Sequence, residues 1–165
     1  MSCQAALAQR QPVRQALDEQ ISSAEKPIVS AAEAMPEEKY SFAPMNGEFA
    51  GVRTFGDQLK HLAANNYGMG ARIEGRKPEP DQIEETGPAS VKTKAEILEY
   101  LKGSFAALHK AVATLDDARA ATVGVNGHNH NPIWLAIDAV THSYDHYGQL
   151  VEYLRMNGIV PPASR

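Results

Sequence analysis

The sequence predicts an all-α protein, a four-helix bundle with a long crossover connection between its second and third helices. Apolar residues recur at spacings of three and four in four separate segments, and segments rich in Pro and Gly separate these patterns. No segment alternates convincingly between apolar and polar residues, as a half-buried strand would. Long amphipathic helices bury their apolar stripes against one another, so a bundle is the expected architecture.

The first predicted helix runs from Pro12 to Met35, and the second begins after Thr54. Pro12 suits a first helical turn, and Pro36 ends the pattern. Thr54 is a favourable N-cap, and Asp57 three residues later completes a short version of the capping box. The residues that share one face are Val13, Leu17, Ile21, Ala24, Ile28, Ala32 and Met35 in the first helix, and Phe55, Leu59, Leu62, Asn66, Met69 and Ile73 in the second.

The third predicted helix follows a polar connection, residues 74–90, which is too long for a tight αα-hairpin and is typical of a crossover. Thr93 and Glu96 match a capping box at its start. Its stripe is Ile97, Leu101, Phe105, Leu108, Val112 and Leu115. Residues 116–130 are predicted to form a second loop.

The fourth predicted helix has Asn131 as its N-cap and Pro132 in its first position. It ends at Asn157 and Gly158, where a glycine in the left-handed conformation is expected to close a Schellman motif. Its two faces are both partly apolar, so one must meet the bundle interior and the other is left for loops or a second subunit. One face is Ile133, Ile137, Val140, Tyr144, Tyr147, Val151 and Leu154; the other is Leu135, Ala139, His142, His146, Gln149 and Tyr153.

The composition is that of one globular domain, predicted over residues 12–165 after a flexible N-terminal tail, residues 1–11. Hydrophobic residues make up 43% of 165, and the net charge is −4. This charge gives no electrostatic footprint for nucleic acid or an anionic membrane, and no apolar run approaches the ~18 residues of a membrane span. We expect a cytoplasmic protein, although Ala6-Leu7-Ala8 resembles the end of a signal peptide and leaves an exported form with an upstream start open.

Two histidines of the fourth helix, His142 and His146, are four residues apart. At this spacing the side chains lie about 6 Å apart on one face, where two imidazoles can chelate one metal ion. Asp145 and Gln149 are within a turn of them and can hold a ring N–H or a bound water. The only cysteine is Cys3, so no thiolate cage can form within one chain and a third ligand must come from another helix.

His61 is the best candidate for the third ligand. It lies at a depth similar to that of His146 if the second and fourth helices are antiparallel. His109 follows the stripe of the third helix by one residue and has no partner pattern around it. The sequence HNH, residues 128–130, lies roughly 18 Å from His142 along the helix axis. Structural roles are favoured for these other histidines, and a helix-capping role is favoured for Asp57.

Three segments resemble the DinB/YfiT-like superfamily. These are HSYDHYGQLVEYLRMNGIVPP (142–162), TFGDQLKHLAANNY (54–67) and AAEAMPEEKYSFAP (31–44), and the likeness covers most of the chain from about residue 12. The resemblance implies a four-helix bundle with a long crossover. It also implies a divalent metal ion, zinc or nickel, bound by His61, His142 and His146. Homodimers are common in this family, so a homodimer is expected.

Functionally, the resemblance implies an S-transferase that joins a low-molecular-weight thiol, such as bacillithiol, mycothiol or glutathione, to a small-molecule electrophile. The thiol would come from solution, and Asp145 or Gln149 would orient a ligand or the bound nucleophile. Two alternatives remain open. One is a metal-dependent hydrolase that activates water at the same site, and the other is a non-catalytic metal-binding or stress-response protein.

Overall fold

The computed structural model describes residues 12–82, 84–123 and 129–165, and these residues contain helices and connections but no β-strand. The helices are α1 (Val13–Ala34), α2 (Phe55–Ile73), α3 (Lys94–Ala113), α4 (Asp117–Ala121) and α5 (Pro132–Met156). Short 3₁₀ turns occur at Glu37–Lys39, Pro80–Gln82 and Pro162–Ser164. The all-α prediction is confirmed. The predicted tail, residues 1–11, lies outside the described residues.

The short helix α4 corrects the prediction of a loop over residues 116–130. Asp116 caps this helix, because its carboxylate accepts the backbone N–H of Arg119 at 2.7 Å. The Arg119 guanidinium donates to the carbonyl oxygen of Glu74 at 2.9 Å and so ties α4 to the end of α2. A five-residue helix is too short to show a periodic apolar pattern, which is why the sequence did not predict it.

The predicted N-caps of the three long helices α2, α3 and α5 are confirmed, and each one satisfies backbone N–H groups that the first turn leaves without partners. The α3 cap is a complete capping box, in which the Glu96 carboxylate also accepts the N–H of Thr93 at 2.8 Å. The side-chain acceptors and the backbone donors are Thr54 with Asp57, Thr93 with Glu96, and Asn131 with Trp134.

The C-terminal end of α5 is the predicted Schellman motif. Gly158 has a φ of +74°, which glycine adopts without steric cost. The N–H of Ile159 donates to the carbonyl of Leu154 at 3.0 Å, and the N–H of Gly158 donates to that of Arg155 at 2.9 Å. Ile159 also packs against the core, which fixes the direction of the chain as it leaves the helix.

Helices α2 and α3 pack side by side and run parallel. Gly56 lies against Ile97 near the start of both helices. Further along, the Asn66 amide lies 3.3 Å from the Ser104 hydroxyl. A Cβ atom added at Gly70 would lie 3.4 Å from the carbonyl oxygen of Ala107, so a glycine permits this close approach. Because the two helices are parallel, the connection over residues 74–93 returns along the bundle, as a crossover does.

Helix α5 packs against α2 in the antiparallel direction. The Tyr153 hydroxyl near the end of α5 donates to the carbonyl oxygen of Arg53, just before α2, at 3.1 Å. Further along α2, His61 meets His142, which lies nearer to the start of α5. This arrangement places the histidines of the two helices at the same depth in the bundle. Helix α1 completes the bundle by packing against α3 and α5.

The two faces of α5 differ in burial. The face that carries the histidines meets the interior, and Leu135, Ala139, His146 and Tyr153 are buried there. On the opposite side, the exposed fractions are 44% for Trp134, 51% for Ile137 and 41% for Tyr144. The predicted second face is thus only partly exposed, because Leu154 is buried and Ile133, Val140 and Tyr147 pack against the core. None of the described helices is long and apolar enough to span a membrane.

Candidate metal centre

Three imidazoles from two helices converge at one point. His61 projects from α2, while His142 and His146 project from successive turns of α5. The Nε2 atom of His142 lies 3.2 Å from Nε2 of His61 and 3.1 Å from Nε2 of His146. The candidate ligand atoms of all three residues lie within 4.8 Å of one another. The structure thus brings together the three histidines that the sequence predicted as metal ligands.

Two of the three separations between the nitrogens match those around a small divalent cation. Metal–nitrogen bonds of about 2.0–2.1 Å place neighbouring ligand atoms about 3.3 Å apart in a tetrahedron and about 3.0 Å apart in an octahedron. The two separations of 3.2 and 3.1 Å fall between these values. The donor set therefore suits a first-row divalent metal ion without selecting one.

The tautomer of His61 is set by the crossover connection. Its Nδ1–H donates to the backbone carbonyl oxygen of Glu85 at 2.7 Å. A carbonyl oxygen can only accept, so the proton lies on Nδ1 and the lone pair of Nε2 faces the other histidines. Holding the outer ring nitrogen in this way is how proteins orient imidazole ligands.

The tautomer of His146 is set by a chain of three polar side chains. Its Nδ1–H donates to Oε1 of the buried Gln58 at 2.5 Å. The Gln58 Nε2 donates to Oε1 of Gln149 at 2.6 Å, and the Gln149 Nε2 donates to the Asp145 carboxylate at 3.2 Å. An ionised carboxylate only accepts, so Asp145 fixes the direction of both amides. The chain leaves the Nε2 lone pair of His146 facing the centre.

The third imidazole, that of His142, has too few protons to satisfy the nitrogens that converge at the centre. Its Nδ1 is buried and has no hydrogen-bond partner in the part of the chain that the structure describes. If the proton lies on Nε2 instead, that single N–H faces two lone pairs, those of His61 and His146. Three nitrogens thus converge with at most one proton between them, and a cation would satisfy all three lone pairs. The residues present therefore fit a metal ion.

Burial keeps two of the imidazoles neutral. Desolvation, followed by the nearby charge of His61, lowers the pKa of His142. Desolvation, followed by the charges of His142 and His61, lowers the pKa of His146 to about 4. Loss of solvent disfavours the charged form of histidine, and neighbouring positive charge adds to this effect. Neutral imidazole is the form that binds a metal, so both side chains are ready as ligands near pH 7.

Asp145 and Gln149, predicted as catalytic residues that orient a ligand or the bound nucleophile, hydrogen-bond to each other and to Gln58 rather than to a histidine ring among the described residues. Gln149 accepts a hydrogen bond from Gln58, a residue that no sequence pattern had indicated. Gln58 precedes His61 by one helical turn, and its exposed fraction is only 3%. A polar residue at that position beside an apolar stripe is the signal that could have identified it.

The other predicted candidates lie away from this centre. His109 bridges α3 and α1, with Nδ1 at 2.6 Å from the Asp18 carboxylate and Nε2 at 3.1 Å from that of Glu25. The ring of His130 stacks on Trp134 with the centroids 3.7 Å apart. Asp57 takes part in the Thr54 cap, and His128 lies outside the described residues.

A small polar cavity adjoins the centre on the side of the crossover connection. Its volume is about 110 Å³, and it touches His61 but neither of the other two histidines. Its lining residues are His61, Ala64, Asn65, Arg72, Gln82, Glu84 and Glu85. Glu85 also pairs with the guanidinium of Arg53, so a cation and a carboxylate lie beside the three-histidine group.

The fold and the site together define an all-α protein with a three-histidine group that could hold a metal ion. A family model of the DinB superfamily matches residues 20–150, which include all three histidines. The chain belongs to the DinB superfamily. A comparison with curated proteins finds no match for this chain.

Proposed function

We propose that this protein is a metal-dependent enzyme in which His61, His142 and His146 hold one divalent metal ion, zinc or nickel. The convergence of three Nε2 atoms carries the proposal. Among the described residues the group has three ligands rather than four. Structural zinc sites use four protein ligands, whereas catalytic sites keep a position open for water or substrate. The three-ligand set supports a catalytic role.

The proposed reaction transfers a low-molecular-weight thiol to a small-molecule electrophile. A divalent cation at this position would favour the deprotonated form of a thiol near neutral pH. The thiol proton would pass to solvent, and the sulfur would bond to an electrophilic carbon as the leaving group departs with its electron pair. The thiol comes from solution in this proposal, because the only cysteine of the chain is Cys3.

Within this proposal, the protein's own polar groups position the ligands before substrate arrives. The Glu85 carbonyl orients His61, and Gln58 orients His146. Asp145 and Gln149 act as positioning residues through Gln58 and not as groups that touch the substrate. Mutation of residues that hydrogen-bond to metal ligands typically lowers metal affinity by about 10- to 100-fold.

Elemental analysis of the untagged protein, prepared without chelators, tests the metal site. We expect about one equivalent of metal in the wild type, and its loss in His61→Ala. His109→Ala is the matched control, because it removes a part-buried histidine that lies between α1 and α3. A wild-type protein that stays metal-free after soaking in zinc and nickel salts would overturn the proposal.

Turnover assays on the metal-loaded protein test the reaction class. Consumption of an electrophile only when thiol is added supports the S-transferase. Turnover without thiol would replace it by a hydrolase that uses water at the same site. Tight metal binding with no turnover across broad panels of both kinds would leave a non-catalytic metal-binding protein.

We further propose that the protein forms a homodimer through the outer face of α5. Trp134, Ile137 and Tyr144 supply an exposed apolar surface there. Exposed aromatic and aliphatic side chains that share one helix face are typical of subunit interfaces.

A further inference from the structure

Arg53 lies at the rim of the three-histidine group. Its backbone carbonyl is held by the Tyr153 hydroxyl at 3.1 Å, which fixes this residue between α2 and α5. Its guanidinium pairs with the Glu85 carboxylate, and the backbone carbonyl of the same Glu85 holds His61. One residue of the crossover connection thus contacts both a ligand histidine and an arginine.

The guanidinium is close enough to act on the centre electrostatically. The Glu85 carboxylate that it contacts lies 3.8 Å from Nδ1 of His61. The charge of Arg53 is also among the lesser causes that lower the pKa of His142 and of His146. The positive charge of Arg53 therefore acts electrostatically on both of the α5 histidines.

A fixed positive charge beside a cation site is unfavourable by itself, because like charges repel. An anion that contacts both the guanidinium and the metal region removes this repulsion. Glu85 supplies a negative charge, but its side chain is 75% exposed. Exposed ion pairs contribute little to stability, so a ligand's anionic group can replace Glu85 at small cost. The planar guanidinium fork is well suited to carboxylate and similar oxyanions.

We propose that Arg53 is a specificity-determining residue that binds the anionic group of the thiol used at this centre, and that Glu85 occupies Arg53 until the thiol arrives. This inference rests on the proposed thiol-dependent function. It assigns the substrate class as negatively charged low-molecular-weight thiols, in preference to neutral or cationic ones. The exchange is proposed as a movement of the Glu85 side chain, while Tyr153 and His61 hold the backbone carbonyl groups of Arg53 and Glu85.

Calorimetric titration of the zinc-loaded protein with two small thiols tests this assignment. The probes are 2-mercaptoethanesulfonate, which is anionic, and 2-mercaptoethanol, which is neutral. A sulfonate is a weak metal ligand, so a preference for the first probe reports on Arg53 more than on chelation. We expect the wild type to bind the anionic thiol about tenfold more tightly, as for a charge-assisted pair. The preference should weaken with added salt.

Three variants test whether the preference for the anionic thiol depends on Arg53 and Glu85. Arg53→Gln should bring the two dissociation constants together, whereas Glu85→Gln should tighten binding of the anionic thiol relative to the neutral one and so widen the preference. Arg155→Gln is the charge-matched control, because this exposed guanidinium on α5 pairs with Glu152 and does not line the cavity beside His61, and it should keep the wild-type preference. Opposite effects of Arg53→Gln and Glu85→Gln cannot arise from a general loss of folding.

The outcomes separate this inference from the function on which it rests. If both thiols bind the zinc-loaded protein but Arg53→Gln leaves their ratio unchanged, the role of Arg53 is overturned and thiol binding stands. If the wild type shows no preference, the same conclusion follows. If neither thiol binds, the thiol-dependent function fails, and the assignment of Arg53 fails with it.

Discussion

The Nδ1–H of His146 on α5 donates a 2.5 Å hydrogen bond to the side-chain oxygen of Gln58 on α2, and this contact decides which ring nitrogen faces the other histidines. The same glutamine extends the network through Gln149 to the carboxylate of Asp145. An exposed acidic residue is therefore linked to a buried ligand candidate. The helix pair that supplies the three imidazoles also supplies the groups that orient them.

Removal of Gln58 should weaken metal binding without removing a ligand. In Gln58→Ala the buried N–H of His146 loses its acceptor, and the ring is no longer held in one orientation. We expect zinc affinity to fall about 10- to 100-fold, measured by competition with a chromophoric chelator. Gln15→Ala is the control, because the side chain of Gln15 is exposed on α1 and donates to Glu19, far from the histidines. Equal affinities for the two variants would show that the contact does not orient the ligand.

Asp145→Asn should disturb the donor-to-acceptor order of the hydrogen-bond chain that runs from His146 through Gln58 and Gln149. An asparagine amide can present either its oxygen or its nitrogen to Gln149, so the polarity of the two glutamines is no longer fixed. Exchange of a charged for a neutral acceptor is expected to lower zinc affinity about fivefold. Nitrogen chemical shifts of the His146 ring should also show a mixture of tautomers.

Asp138→Asn is the matched control for that experiment. It removes the same charge from the same helix, and both aspartates act on the pKa of His142 in the same direction. Asp138 is not part of the chain that reaches His146. If both variants lowered affinity equally, loss of negative charge would explain the result and the hydrogen-bond chain would not.

The histidines of the candidate metal site could be predicted in part because their signal is local. The i, i+4 spacing of His142 and His146 places both on one helix face whatever the rest of the fold does. Capping residues are equally local, since Thr93 and Glu96 satisfy each other's backbone groups within one turn. The depth of His61 in an antiparallel helix pair favoured it over the remaining histidines, and the family motif implied the same residue.

The groups that accept hydrogen bonds from the outer ring nitrogens of His61 and His146 could not be predicted in the same way. The bond between Gln58 and His146 joins residues 88 apart in sequence, and it depends on the rotation of two packed helices. The acceptor for His61 is the backbone carbonyl of Glu85, a group that every residue carries and that has no sequence signature. Helix α4 was missed because one turn shows no periodicity.

The lowered pKa of His146 predicts an acid-sensitive metal-free protein. Its folded pKa of about 4 lies below the unfolded value of about 6.5, so the unfolded chain binds the proton first as pH falls. The stabilisation is complete above about pH 6.5 and is lost as the pH falls toward 4. At pH 5 the loss should be about 1–2 kcal/mol, measured by urea unfolding relative to pH 7.

His146→Gln supplies the comparison for this measurement. Glutamine is polar and of similar reach but does not titrate, so the variant should lose less stability between pH 7 and pH 5. Carboxylates elsewhere in the chain titrate alike in both proteins, and their contribution cancels. A pH dependence identical to that of the wild type would mean that His146 is not held neutral by the fold.

The outer face of α5 predicts how the proposed dimer can be broken. Trp134, Ile137 and Tyr144 recur at helical spacing and are each at least 41% exposed. In Ile137→Glu a carboxylate would be buried at the centre of the interface without a partner, which opposes association. Light scattering should give the mass of two chains for the wild type and of one chain for this variant.

Met156→Glu is the control for this substitution. Met156 lies on the same helix and is 55% exposed, but it is near the C-terminal end and outside the patch formed by Trp134, Ile137 and Tyr144. The control should remain dimeric, because the new carboxylate stays in solvent. A wild type that scatters as a monomer at micromolar concentration would rule out the dimer. Dissociation by Met156→Glu but not by Ile137→Glu would instead place the interface at the other end of α5.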